Sequence, residues 1–209
     1  PDALAEVLED LALEEPRLQV LTHAENGGVG AATVTGYRAA IDGGAKIIVK
    51  LDSDGQMDPR LIPALIDPIV TGEADYVKGN RFFDLGAVQK MPVVRLIGNA
   101  GLWHLFDPTN GFTAIHADVA ASLPLEKLHK RYFFESDLLF RLGTLGASVR
   151  DVPMEAVYGD EKSGLSELDA LLKFPWLHGR NLMKRVMYNY FLRGFSTASL
   201  MLVFGLMLL

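Results

Sequence analysis

Apolar positions along the chain repeat in two rhythms. Leu4, Val7, Leu8 and Leu11 recur at helical spacing until Pro16 ends the pattern. Leu18-Gln-Val-Leu-Thr22 reads as a short strand, and the glycine-containing loop Glu25-Asn-Gly-Gly-Val-Gly30 leads into an Ala-rich helix that runs to about Ile41. Lys46-Ile-Ile-Val-Lys-Leu51 reads as a buried strand entering directly on Asp52-Ser-Asp-Gly55. A helix begins near Pro59, with proline in its favoured first turn. Ala74-Asp-Tyr-Val-Lys78 is the next strand. Residues 111–116 form another, 134–145 a helix and 147–157 a further strand. Strands and helices alternating at these lengths predict an α/β fold, a mainly parallel sheet flanked by helices. Ligands of such sheets sit beyond the carboxyl ends of the strands, where Asp52 and Asp54 fall.

With 209 residues, 49% of them apolar, the chain can bury one substantial core, and one main domain is the default. A net charge of −6 excludes the basic surface of a general nucleic-acid binder. The absence of cysteine excludes disulfides, thiol nucleophiles and thiolate metal sites. The charge is unevenly placed: residues 1–166 carry −9, and the remainder carries +3 through Lys173, Arg180, Lys184, Arg185 and Arg193 against Glu167 and Asp169. An acidic body leading into a basic, aromatic tail suggests a membrane-surface segment.

The run from Phe195 to Leu209 has no charge, although a spanning helix needs roughly 20 apolar residues. Trp176, Tyr188, Tyr190, Phe191 and Arg193 precede it as an interfacial belt would. The plainer alternative is a buried C-terminal core helix. The acidic, amphipathic N-terminus does not resemble a signal peptide.

The strongest chemical signal is Asp52-Ser53-Asp54-Gly55-Gln56. Two carboxylates one residue apart at a strand end can reach one hard cation, which takes oxygen ligands and keeps phosphate and water in its shell. Such a cation offsets charge growing on a departing diphosphate. A polar turn capping the next helix is the plainer alternative. Cations suited to phosphates surround this core: Arg81 after Gly79-Asn80, Arg95 in Met91-Pro-Val-Val-Arg-Leu-Ile-Gly-Asn99, and Lys162 beside Ser163 in the loop Tyr158–Ser166. The Gly27-Gly28-Val29-Gly30 loop could bind phosphate at a helix start.

Five motifs follow one another: Asn26-Gly-Gly-Val-Gly-Ala-Ala, Leu51-Asp-Ser-Asp-Gly-Gln-Met-Asp-Pro59, Gly79-Asn-Arg-Phe82, Asp107-Pro-Thr-Asn-Gly-Phe112 and Tyr132-Phe-Phe-Glu-Ser-Asp-Leu138. As an ordered set covering about residues 1–166, they resemble the family 2 glycosyltransferases of GT-A (Rossmann-like) fold, specifically the dolichol- or polyprenyl-phosphate mannose synthase branch. The resemblance implies that Asp52, Asp54 and Gln56 hold Mg2+ or Mn2+ with the donor diphosphate, Ser53 lying between them. It implies that Arg81, Arg95 and Asn99 grip an acceptor phosphate, and that Lys162 and Ser163 belong to a loop closing over the donor. Glu135 and Asp137 match an acidic pair which, in many inverting relatives, supplies a base. A phosphate acceptor, already anionic, needs no strong base, and the two also fit a helix N-terminus. The chain departs from the pattern by beginning after the family's first two strands, whose Asn-Glu-Glu-like and Asp-Asp-Gly-Ser-like turns include the nucleotide site. It is also short between Asn99 and Trp103.

The expected organisation is a GT-A catalytic domain over 1–166 without its first strands, a juxtamembrane amphipathic segment over 167–194, and the start of a transmembrane helix over 195–209. The expected reaction is inverting transfer of mannose or glucose from GDP-mannose or UDP-glucose to a polyprenyl or dolichyl phosphate. The flanking basic residues favour a catalytic domain on the cytoplasmic side of the membrane. The membrane segment could also join copies into a homo-oligomer. The rivals are transfer to a hydroxyl, as in envelope polysaccharide or glycolipid synthesis, and a non-catalytic scaffold that binds nucleotide sugars.

Overall fold

The computed structural model describes residues 4–81, 110–155 and 167–208. Helix α1 (Leu4–Glu14) ends just before Pro16, and α2 (Val29–Asp42) is the expected Ala-rich helix. A 3-10 turn at Pro59–Leu61, capped by the Asp58 carboxylate, leads into α3 (Ile62–Val70). The other helices are α4 (Ala117–Ser122), α5 (Phe134–Leu145), α6 (Glu167–Met187) and α7 (Thr197–Met207). The strands are β1 (Ile47–Lys50), β2 (Tyr76–Asn80), β3 (Thr113–His116) and β4 (Val149–Pro153).

These strands form one sheet in the order β1-β3-β2-β4. β3 is antiparallel to both neighbours, while β2 and β4 pair in parallel. The sheet is therefore mixed, which corrects the mainly parallel expectation: β1, β2 and β4 point one way and β3 runs against them. Helical crossovers force strands to be parallel, but hydrophobic pattern alone carries no strand direction. β3 enters the sheet at the end where β1 and β2 leave it. Residues 18–22 are a second correction. They pair with no described strand, and a strand without ladder hydrogen bonds is only an extended segment.

Both faces of the sheet are covered. Ile48, Ile115, Tyr76 and Val149 lie in register on one face, beneath Tyr37 of α2 and Phe134, Leu138 and Leu142 of α5. Val49, Ala114 and Val77 point the other way, onto Leu65 and Ile69 of α3. This two-sided burial makes the strands read as continuous apolar runs. Two residues further along, on the α2/α5 face, the rank becomes Lys50, Thr113, Lys78 and Asp151.

Helix α6 docks on this body through aromatic rings and one polar contact. Phe133 meets Phe174 and His178 edge-on, and Asn181 donates to Asp137. Beyond a π-helical turn at Tyr188–Leu192, α7 starts with a reciprocal Ser196/Ser199 capping box. At 11 residues α7 is shorter than a span requires, and among the described residues no helix is long and apolar enough to cross a membrane.

Candidate active site

The site grows from the carboxyl end of β1. Gly55 takes a left-handed conformation (φ 73°), and the Asp54 carboxylate accepts the Gln56 amide at 3.0 Å, closing a tight polar turn. Met57 packs in the α3 core and its sulfur accepts the Asp52 amide, which ties the turn to the sheet. Ser53 and Asp54 are exposed; Asp52 and Gln56 are half-buried.

The reversed strand β3 brings Asn110-Gly111-Phe112 against this turn. A Cβ on Gly111 would fall on the Asp52 carboxylate and the Lys50 ammonium, so any larger residue would have to push these two side chains aside. Lys50 Nζ lies 2.7 Å from Asp52 Oδ1, 3.2 Å from the Gly111 carbonyl and 3.5 Å from Glu135 Oε1. Glu135 rises from the first turn of α5. Burial pushes its carboxyl above the usual range; the Lys50 ammonium pulls it back and Asp52 pushes it up again.

Deeper in the same rank Lys78, 1% exposed, pairs with Asp151 at 3.0 Å, and Asn80 donates to the other Asp151 oxygen at 2.8 Å. Burial raises the pKa of the Tyr37 and Tyr76 phenols well above the ordinary value, making them weaker acids, against the opposing effect of Thr113 beside them. Arg81 is half-buried where β2 ends, at the same edge of the sheet as Asp52.

Glu135 joins the Asp52 turn, but Asp137 does not. Two positions on a helix turn by about 200°, so the buried Asp137 carboxylate faces away. It accepts the His129 amide at 3.1 Å, Arg141 Nε at 3.2 Å and Asn181 Nδ2 at 3.1 Å. The glycine loop has a packing role as well. A Cβ at Gly28 or Gly30 would strike the 129–131 backbone, and the Lys130 carbonyl accepts the Ala31 amide at the start of α2. Arg95, Asn99, Lys162 and Ser163 lie outside the described residues.

The donor set suits a hard divalent cation. Asp52, Asp54 and Gln56 offer oxygen alone, from one turn. Among the described residues no three His, Cys, Asp or Glu side chains converge as a complete metal cage. An ion here would take its remaining ligands from phosphate and water, as Mg2+ commonly does. Lys50, Lys78 and Asp151 were missed by sequence reasoning. The available signal was charge inside the strands Ile47-Ile-Val-Lys50 and Tyr76-Val-Lys78, where the pattern is otherwise apolar.

Comparison with known proteins fits this geometry. The profile described as Glycosyl transferase family 2 matches residues 1–122. An undecaprenyl-phosphate mannosyltransferase of Micrococcus luteus is 30% identical over 167 residues, covering 75% of this chain and 68% of that protein. A UDP-N-acetylglucosamine–dolichyl-phosphate N-acetylglucosaminyltransferase of Methanococcus voltae is 31% identical, covering 66% of this chain and 59% of the other. A dolichol-phosphate mannosyltransferase of Pyrococcus furiosus is 26% identical, covering 88% and 53% respectively. The chain thus spans between about half and two thirds of the length of these relatives. Among solved structures, glucosyl-3-phosphoglycerate synthase of Mycobacterium tuberculosis, in complex with Mn2+, UDP-glucose and phosphoglyceric acid, shares the fold. Its TM-score is 0.52 at 24% identity, covering 83% of this chain and 58% of that one.

Proposed function

This chain belongs to glycosyl transferase family 2, and from that premise we propose that it moves a hexose from a nucleoside diphosphate to a polyprenyl phosphate at a membrane surface. The observation that carries the reading is the Asp52–Asp54 turn, held against β3 by Gly111 and backed by Lys50 and Glu135. The names of the relatives support a lipid phosphate as acceptor.

In this reading Asp52, Asp54 and Gln56 hold Mg2+ or Mn2+ together with the donor diphosphate. The ion, when bound, supplies positive charge where the departing diphosphate becomes more negative. Arg81, at the end of β2, serves the acceptor phosphate; Arg95 and Asn99 join it, and Lys162 and Ser163 cover the donor. The acceptor is an anion at neutral pH, so one of its oxygens bonds to the anomeric carbon as the bond to the diphosphate breaks, with inversion. The chain's work is then orientation and charge neutralisation rather than proton removal. Residues 1–166 are the catalytic unit on the cytoplasmic side. Residues 167–194 lie along the bilayer, and 195–209 lead into it.

A specific observation favours a second reading. Glu135, held protonation-prone by burial and close to the Asp52 turn, is placed to serve a hydroxyl acceptor as base. Loss of such a base costs roughly 10²–10⁴-fold in rate, so Glu135→Gln separates the two readings by the size of its effect.

The test offers radiolabelled GDP-mannose and UDP-glucose separately to the protein in nanodiscs with polyprenyl phosphate and Mn2+. Label should enter the lipid fraction, be abolished by chelator, and fall roughly 10²–10³-fold in Asp54→Ala. No transfer from either donor, despite metal-dependent nucleotide binding, would sink the lipid-phosphate reading.

A further inference from the structure

Lys50 closes an otherwise apolar strand with 8% of its side chain exposed, and its three N–H donors face three acceptors. One is the Asp52 carboxylate in direct contact, one is the Gly111 carbonyl, and the third is Glu135, slightly beyond direct contact at 3.5 Å. The next lysine of the rank, Lys78, pairs with Asp151 on the far side of β3. Lys50 is therefore a cationic link between the Asp52 turn and helix α5.

A carboxylate that ligates a divalent cation cannot keep an ammonium at 2.7 Å without strong repulsion between the two cations. A second carboxylate is waiting on the other side of the same ammonium, within a small rotamer shift. We propose that Lys50 is a positioning residue that alternates between two carboxylates. It neutralises Asp52 while the cation site is empty, and it passes to Glu135 when a divalent cation arrives. Filling the site and fixing Glu135 are then one event, so the donor side of the centre reports its occupancy to α5. This rests on the assignment of the cation to Asp52 and Asp54 under the proposed function.

The test reads Mn2+ binding by the decrease of the free-ion electron paramagnetic resonance signal, with and without GDP or UDP, and needs no turnover. Lys50→Met removes the competing cation and should bind Mn2+ on the order of ten-fold more tightly. Lys50→Arg, which keeps the charge, should stay near wild type. Glu135→Gln removes the second resting place and should weaken Mn2+ binding several-fold. That weakening should vanish in Lys50→Met/Glu135→Gln, because it acts through the lysine. Folded Lys50→Met that binds Mn2+ no better than wild type overturns the proposal. If that variant does not fold, a Glu135→Gln variant with unchanged Mn2+ affinity overturns it alone. Wild-type protein that fails to bind Mn2+ with either nucleotide is a different outcome, which removes the cation assignment itself.

Discussion

Glu135 and Asp137 stand two residues apart on α5 and answer to different parts of the molecule. Asp137 is a structural junction: its two oxygens join the 127–131 loop, Arg141 of its own helix and Asn181 of α6. Removing one member of such a buried polar set costs about 3–5 kcal/mol, because the partners remain buried and unmet. Asp137→Ala should therefore lose about that much stability in denaturant unfolding while the folded fraction keeps its activity; a stable but inactive variant would return Asp137 to the chemistry. At this scale the sequence revealed the Asp52–Asp54 turn, because acidic residues after an apolar strand stand out. It did not separate Glu135 from Asp137, since the facing of a helix depends on what packs beside it. Nor did it reveal Lys50, whose partners beyond Asp52, the Gly111 carbonyl and Glu135, are distant in the chain.

Among the elements, α6 meets the body where Phe133 packs against Phe174 and His178. Burial lowers the His178 pKa below its ordinary value of 6.5. The unfolded chain then binds the proton more readily than the folded one. The docking contribution is complete above pH 6.5 and is lost as pH falls through the lower folded value. Thermal unfolding or limited proteolysis followed downward from neutral pH should show α6 loosening below this point. His178→Leu should flatten that dependence; an unchanged pH profile would mean that the histidine does not couple to docking.

The element pattern itself was largely legible. α1, α2, α3, α5 and the four strands fall where apolar spacing puts them. Three features were not. The reversal of β3 leaves no trace in a hydrophobic run. Residues 18–22 carry strand-like residues but have no described neighbour to pair with. α4 is only six residues long, too short for its periodicity to show, and is started by His116, whose ring accepts the Asp118 amide.

In the whole molecule, apolar surface is concentrated at the C-terminal end. Trp176, Met183, Met187 and Tyr190 follow one helical face of α6 and its π-helical extension, and all are exposed. Trp176 is 73% exposed and Leu192 75%, while α7 exposes Met201, Phe204 and Met207. Arg180 and Lys184 flank the α6 stripe, which is the composition of a helix lying in a headgroup layer. Each basic residue near an anionic surface contributes about 1 kcal/mol. Arg180→Ala/Lys184→Ala should therefore weaken binding to phosphatidylserine vesicles about 30-fold in sedimentation. Equal binding by the variant, or indifference to salt, would place this face against something other than an anionic bilayer.

The molecule's two ends meet in one claim, that a metal-dependent sugar-transfer centre works on a phosphate carried at a membrane. The most direct measurement offers the protein in nanodiscs the same labelled nucleotide sugar with polyprenyl phosphate and, separately, with the corresponding polyprenol. The expected result is label on the phosphate and none on the alcohol, since the proposed reaction takes an acceptor that is already charged. Label on the alcohol with none on the phosphate would contradict the account and make Glu135 the base of a hydroxyl transferase.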